Sequence, residues 1–79
     1  MSLTLESMGV DEQVRNLQRL ASSLVAVIRS NSGTMNRDSA LEKSAQLEKV
    51  PVSQMRYVLT YALTEEMIKQ DRVNATLTA

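Results

Sequence analysis

The chain contains no histidine and no cysteine, which removes the commonest general base and the commonest activated nucleophile. Serines are present, but a serine needs a base beside it, and only Lys, Asp and Glu could serve. Glu65 and Glu66 are adjacent. On a helix they splay about 100° apart and do not converge on one proton. With only Gly9 and Gly33 in the chain, no glycine-rich loop can cradle a phosphate. A metal would have only carboxylates and backbone oxygens as ligands, so zinc is not expected. The residue types point to a protein that binds and does not catalyse, with no cofactor and no catalytic residue.

Two sets of residues offer binding chemistry. Ala45, Val50, Met55 and Val58 stand at offsets of five, five and three. Those are the offsets of the small and apolar core positions in a helix-turn-helix. In that reading Ser53 opens the recognition helix, and Gln54 and Arg56 face bases or phosphates. Three features count against it. Lys49 occupies the turn position usually held by Gly, and Glu48 sits where an apolar residue is expected. Further on, Glu65, Glu66 and Asp71 would repel a phosphate backbone that they faced. The same offsets also arise in an ordinary helix, corner, helix connection. The second set is Tyr57, Tyr61 and Ile68, which fall together on a helix at roughly 200° to 240° from Met55. Tyrosine carries a large apolar body with a polar tip and is enriched at interfaces. This face is expected to meet a partner or a second copy.

The elements that must position these residues are helical. From about 11 to 30, Val10, Val14, Leu17, Ala21, Leu24 and Ile28 recur at alternating spacings of four and three, an amphipathic stripe. Asn31-Ser32-Gly33 ends it, with Gly33 or Asn31 able to take the left-handed conformation. A second helix is predicted over about 37–49, opened by Asn36, Asp38 or the capping box Ser39-Ala40-Leu41-Glu42. Pro51 then forces a corner. A third helix is predicted over about 54–71, capped by Ser53 and with Met55, Val58, Leu59, Ala62 and Leu63 inward. The expected fold is an all-α, three-helix domain over 10–71. Residues 1–9 are expected to form a flexible N-terminal segment and 72–79 a disordered tail. No strand is predicted.

A chain of 79 residues holds one domain, at a size where a lone core gives only a few kcal/mol. Disulfides cannot help, so a homodimer is the expected remedy. Nine basic and nine acidic residues cancel, which disfavours nucleic acid as the main partner. No apolar run approaches a membrane span, and residues 1–6 lack the charged and apolar regions of a secretory signal. A cytoplasmic location is expected.

Leu24-Val25-Ala26-Val27-Ile28, then Ser32-Gly33-Thr34-Met35-Asn36-Arg37-Asp38-Ser39, then Gln46-Leu47-Glu48 and Tyr57-Val58-Leu59 with Ala62-Leu63 together resemble the enterobacterial small connector family. The resemblance covers about half of the chain. Pro51 and the short link between the last two helices depart from the family pattern. It implies a dimeric, helical regulator without catalytic residues, linked to signalling and to biofilm or stress control. The expected function is a regulatory or adaptor protein acting through contacts with an unidentified protein partner. The alternatives are a helix-turn-helix DNA binder and a structural subunit of a larger assembly.

Overall fold

A computed structural model describes residues 10–79 of the chain; the N-terminal segment expected over 1–9 lies outside them. Six elements follow in order. They are α1 (Val10–Ser30), β1 (Thr34–Asn36), α2 (Arg37–Glu48), α3 (Val52–Thr64), β2 (Lys69–Asp71) and β3 (Thr76–Thr78). Three helices are present, as periodicity predicts, but the third differs in its cap and its end and a small sheet accompanies them, so the fold is not all-α.

The stripe on α1 becomes buried only in its second half. Val14 is still exposed and Leu17 half-buried, whereas Leu20, Ala21, Leu24, Val27 and Ile28 are all buried. Leu20, Ala21, Leu24, Val25 and Ile28 form one core with Ala40, Leu41 and Ala45 of α2 and Met55, Val58, Leu59 and Ala62 of α3. The helix stops because Ser32 (φ 67°) and Gly33 (φ 84°) are both left-handed. The Gly33 N–H donates back to the Ile28 carbonyl at 3.1 Å. Asn31 has another task, donating from Nδ2 to the Thr34 carbonyl at 2.9 Å.

Asn36 caps α2, its Oδ1 accepting the Ser39 N–H at 3.1 Å. At the far end Lys49 adopts φ 56°, ψ 44°, and the Val50 N–H closes on the Ala45 carbonyl at 3.0 Å. Pro51, with φ −65°, then stands at the N-cap of α3. Its carbonyl accepts from Gln54 N at 3.0 Å and Met55 N at 3.3 Å. Ser53 is therefore inside the helix and is not its cap. Proline is tolerated at this place because its backbone is extended there, outside the helix, where the helical ladder needs no N–H from it.

The third helix ends at Thr64, not near residue 71. Glu66 is left-handed (φ 57°), and its N–H donates to the Leu63 carbonyl while Met67 N donates to Ala62. These are the backward bonds that close a helix. No Gly or Pro marks this stop, which is why the apolar spacing reads through it. Beyond it, the expected tail is a hairpin. β3 lies in the middle of a three-stranded antiparallel sheet ordered β1-β3-β2. Leu77 stands opposite Met35 on one side and Gln70 on the other. Its side chain is fully buried and joins Ile68 in the helical core.

Two consequences can be measured by urea denaturation. Leu77→Ala should cost about 2–5 kcal/mol, the range for a buried Leu, while Thr78→Ala, on the exposed side, should shift stability by no more than about 0.5 kcal/mol. Equal and small effects would mean that the segment is a tail after all. Lys49→Gly should stabilise by about 0.5–1 kcal/mol, because a left-handed residue with a Cβ is penalised and glycine is not. A loss of stability there would contradict the observed corner.

Candidate nucleic-acid interface

The corner at Lys49-Val50-Pro51 joins α2 to α3. The four positions singled out by their spacing face inward. Ala45, Met55 and Val58 are buried, and Val50 packs against the same cluster. The antiparallel hairpin of β2 and β3 returns to pair with β1, the strand just before α2. We refer to the hairpin of β2 and β3, with its turn over 72–75, as the wing.

Each of the three features that spoke against the motif has another place in the structure. Lys49 takes the left-handed conformation for which that turn position favours glycine. Glu48 turns to α1, where it pairs with Arg19 and accepts from Ser23 Oγ at 3.3 Å. Arg19 is braced in turn by Asn16, whose Oδ1 accepts from its Nη2 at 3.1 Å. Glu65 and Glu66 follow the end of α3 and are not part of it. Asp71 is occupied in the wing. Its Oδ1 accepts Val73 N at 3.0 Å and Asn74 N at 3.2 Å, and its Oδ2 accepts Asn74 Nδ2 at 2.8 Å.

The outward surface of α3 carries Ser53, Gln54, Arg56, Tyr57, Thr60 and Thr64, all exposed. Its one charged residue is Arg56. Opposite the buried line of Met55, Val58 and Ala62, the helical angles put Ser53, Tyr57, Thr60 and Thr64 at the centre. Gln54 and Arg56 fall on opposite flanks. Thr60 and Thr64 donate their hydroxyls to the carbonyls one turn back, Arg56 at 3.3 Å and Thr60 at 2.9 Å. They thus present oxygen lone pairs and methyl groups outward. The wing adds Lys69 and Arg72, and an almost fully exposed Val73 at the turn.

The expected face of Tyr57, Tyr61 and Ile68 does not form. Because α3 stops at Thr64, Ile68 lies beyond it and is buried in the core. Tyr61 is half-buried against that core. Tyr57 alone is open, 69% exposed, and it stands between Gln54 and Arg56. Of the second set, Tyr57 alone therefore joins Gln54 and Arg56 on one surface. Thr60, Thr64 and the wing were not among the residues singled out from the sequence, and Ser53 was singled out only as the start of the helix. The signal for α3 was its period continued outward; the wing's signal was the Asp71-Arg72-Val73-Asn74 turn between two short polar runs.

No family model, curated protein or solved structure matches the chain. Among the described residues, no group of acidic side chains is placed to hold a metal. No helix there is long and apolar enough to cross a membrane.

The Asp71 cap has a pH signature. The Asn74 side-chain amide and then the Asn74 backbone N–H hold its carboxyl below the ordinary aspartate range, with the Val73 N–H adding to them. A lowered folded pKa means that the cap's contribution is complete above about pH 4, the unfolded value. It is lost as pH falls through the lower folded value. The amide resonances of Val73 and Asn74 should titrate with a midpoint below about 3.9, and Asn74→Ala should raise that midpoint. A midpoint at or above the ordinary value would show that the cap is not formed.

Proposed function

We propose that the protein binds duplex DNA, with α3 in the major groove and the wing beside it. The observation that carries this reading is the exposed surface of α3. It has no acid along its length, and it offers polar side chains, methyl groups and one aromatic ring toward the outside. The major groove is wide enough for one helix and displays donors, acceptors and thymine methyls. Threonine oxygens and methyls, Ser53 and Tyr57 suit those edges. Gln54 and Arg56, on the two flanks, suit the two backbones. The wing supplies two further cations, Lys69 and Arg72, against one acid, Asp71, that is held in its turn. A fold alone does not imply a function; the composition of the surface is what favours DNA here.

In this reading the protein is a transcriptional regulator. Two copies would place their helices about one turn of DNA, ~34 Å, apart. The exposed first half of α1, with Val14 open to solvent, is where a homodimer would join. A second reading keeps the regulator but makes its partner a protein. It is favoured by the overall charge balance and by the large open ring of Tyr57.

Fluorescence anisotropy with a mixed-sequence duplex at about 50 mM salt separates the two. Saturable binding is expected, with log K falling against log salt at a slope of about −2 to −4, for the few cations available. Arg56→Ala and Tyr57→Ala should each weaken it about tenfold or more. A protein that ignores the duplex at this salt is not a DNA binder. A protein partner whose capture is lost in Tyr57→Ala would then support the second reading.

A further inference from the structure

We propose that the cleft between α2, α3 and β2 receives one phosphate of the DNA backbone, an assignment that rests on the DNA-binding reading above. Arg37 enters the cleft from α2, Arg56 and Thr60 from α3, and Gln70 from β2, over a floor of Leu41 and Leu59. Two arginines from separate elements thus line one cleft that also has an apolar base. Over such a floor their charge is screened less than over open solvent. The planar donor fork of arginine matches the oxygens of a phosphate.

Both arginines are anchored. The Arg37 backbone N–H donates to the Ala75 carbonyl in the wing turn at 2.7 Å, tying it to the hairpin. Arg56 follows the fully buried Met55. Their charges are incompletely answered. Arg37 meets Asp38 through one long contact, Nε to Oδ1 at 3.4 Å. Arg56 has no ion pair among the described residues. Two acids temper the site: Asp38 lines the cleft, and Glu42 joins Asp38 and Arg56 where it continues toward Val52. A ligand must therefore compete with Asp38 for Arg37, which a bidentate phosphate does better than a singly bonded carboxylate.

The placement fits a backbone contact and not a base contact. Arg56 lies with Thr60 on the flank of α3 that lines the cleft, about 60° and 80° around the helix from Ser53 and Thr64. A residue on that flank of a groove-bound helix reaches the sugar–phosphate edge. Contacts of that kind set register without reading sequence. Asp38 then has a defined effect: it holds down affinity for every sequence alike.

The test is duplex binding across a salt series with Arg37→Gln, Arg56→Gln and Asp38→Asn, each first checked for unchanged helical circular dichroism. Each arginine variant should weaken binding about tenfold on any sequence and reduce the salt slope by about 1. Asp38→Asn should tighten binding several-fold. If the wild type binds DNA and both arginine variants match it in affinity and slope, the cleft is not a phosphate site and the DNA reading stands. If the wild type binds no duplex, the DNA reading fails, and titration with inorganic phosphate followed by amide NMR decides the cleft alone. Saturable shifts at residues 37, 56, 60 and 70 that disappear in Arg56→Gln would preserve the phosphate site. Their absence would overturn it.

Discussion

The whole arrangement depends on left-handed backbone corners made without glycine. Lys49, Glu66 and Ala75 all have positive φ, and each carries a Cβ that disfavours this conformation by about 1–2 kcal/mol. Something must hold each corner, and in every case it is an apolar side chain just beyond. Val50 follows Lys49, Met67 and Ile68 follow Glu66, and Leu77 follows Ala75 by two residues. All four pack into or against the single core. Each corner is thereby over-determined by burial, the condition under which backbone strain persists. The first corner sets α3 against α2, the second ends α3, and the third turns β3 back between β1 and β2.

That dependence explains what could and could not be read in advance. The helices were legible because apolar periodicity and the Asn36 cap are local signals. The inward positions Ala45, Val50, Met55 and Val58 were legible too, since their offsets follow the buried side of two helices joined by a corner. The end of α3 was not. A stop enforced by Ile68 reaching the core leaves no glycine or proline behind, and Ile68 itself extends a helical pattern. The sheet was hidden because each of its strands is three residues long, too short for alternation to show. Gln54 and Arg56 were legible as exposed polar residues at the start of a helix, but their opposite flanks and the position of Tyr57 between them needed the core line of Met55 and Val58.

Charge balance illustrates how a whole-chain number can mislead about a surface. The chain is neutral, yet the charges are not evenly placed. Glu48 is committed to Arg19 on α1 and Asp71 to its own turn. Asp38 and Glu42 lie along α2 beside the cleft, while α3 carries Arg56 alone. A protein built this way has little long-range attraction for a polyanion. Its contacts must be made at short range, by a few side chains held in fixed positions.

The pairing of β1 with β3 joins Thr34 to Thr78 across 44 positions, with their hydroxyls 3.4 Å apart. Helices need only nearby partners, whereas a strand pair of this span must first close a long loop, at an entropic cost that the helical core can lower by assembling early. During synthesis, α1, α2 and α3 can emerge and collapse while β1 still lacks its neighbour. Met35 and Ile68 then wait for Leu77, and the sheet closes only after the chain has been extended past Thr78. Until that moment the newborn domain has an open apolar edge, so the time between the making of α3 and the making of β3 is the interval in which it is most exposed to misassociation.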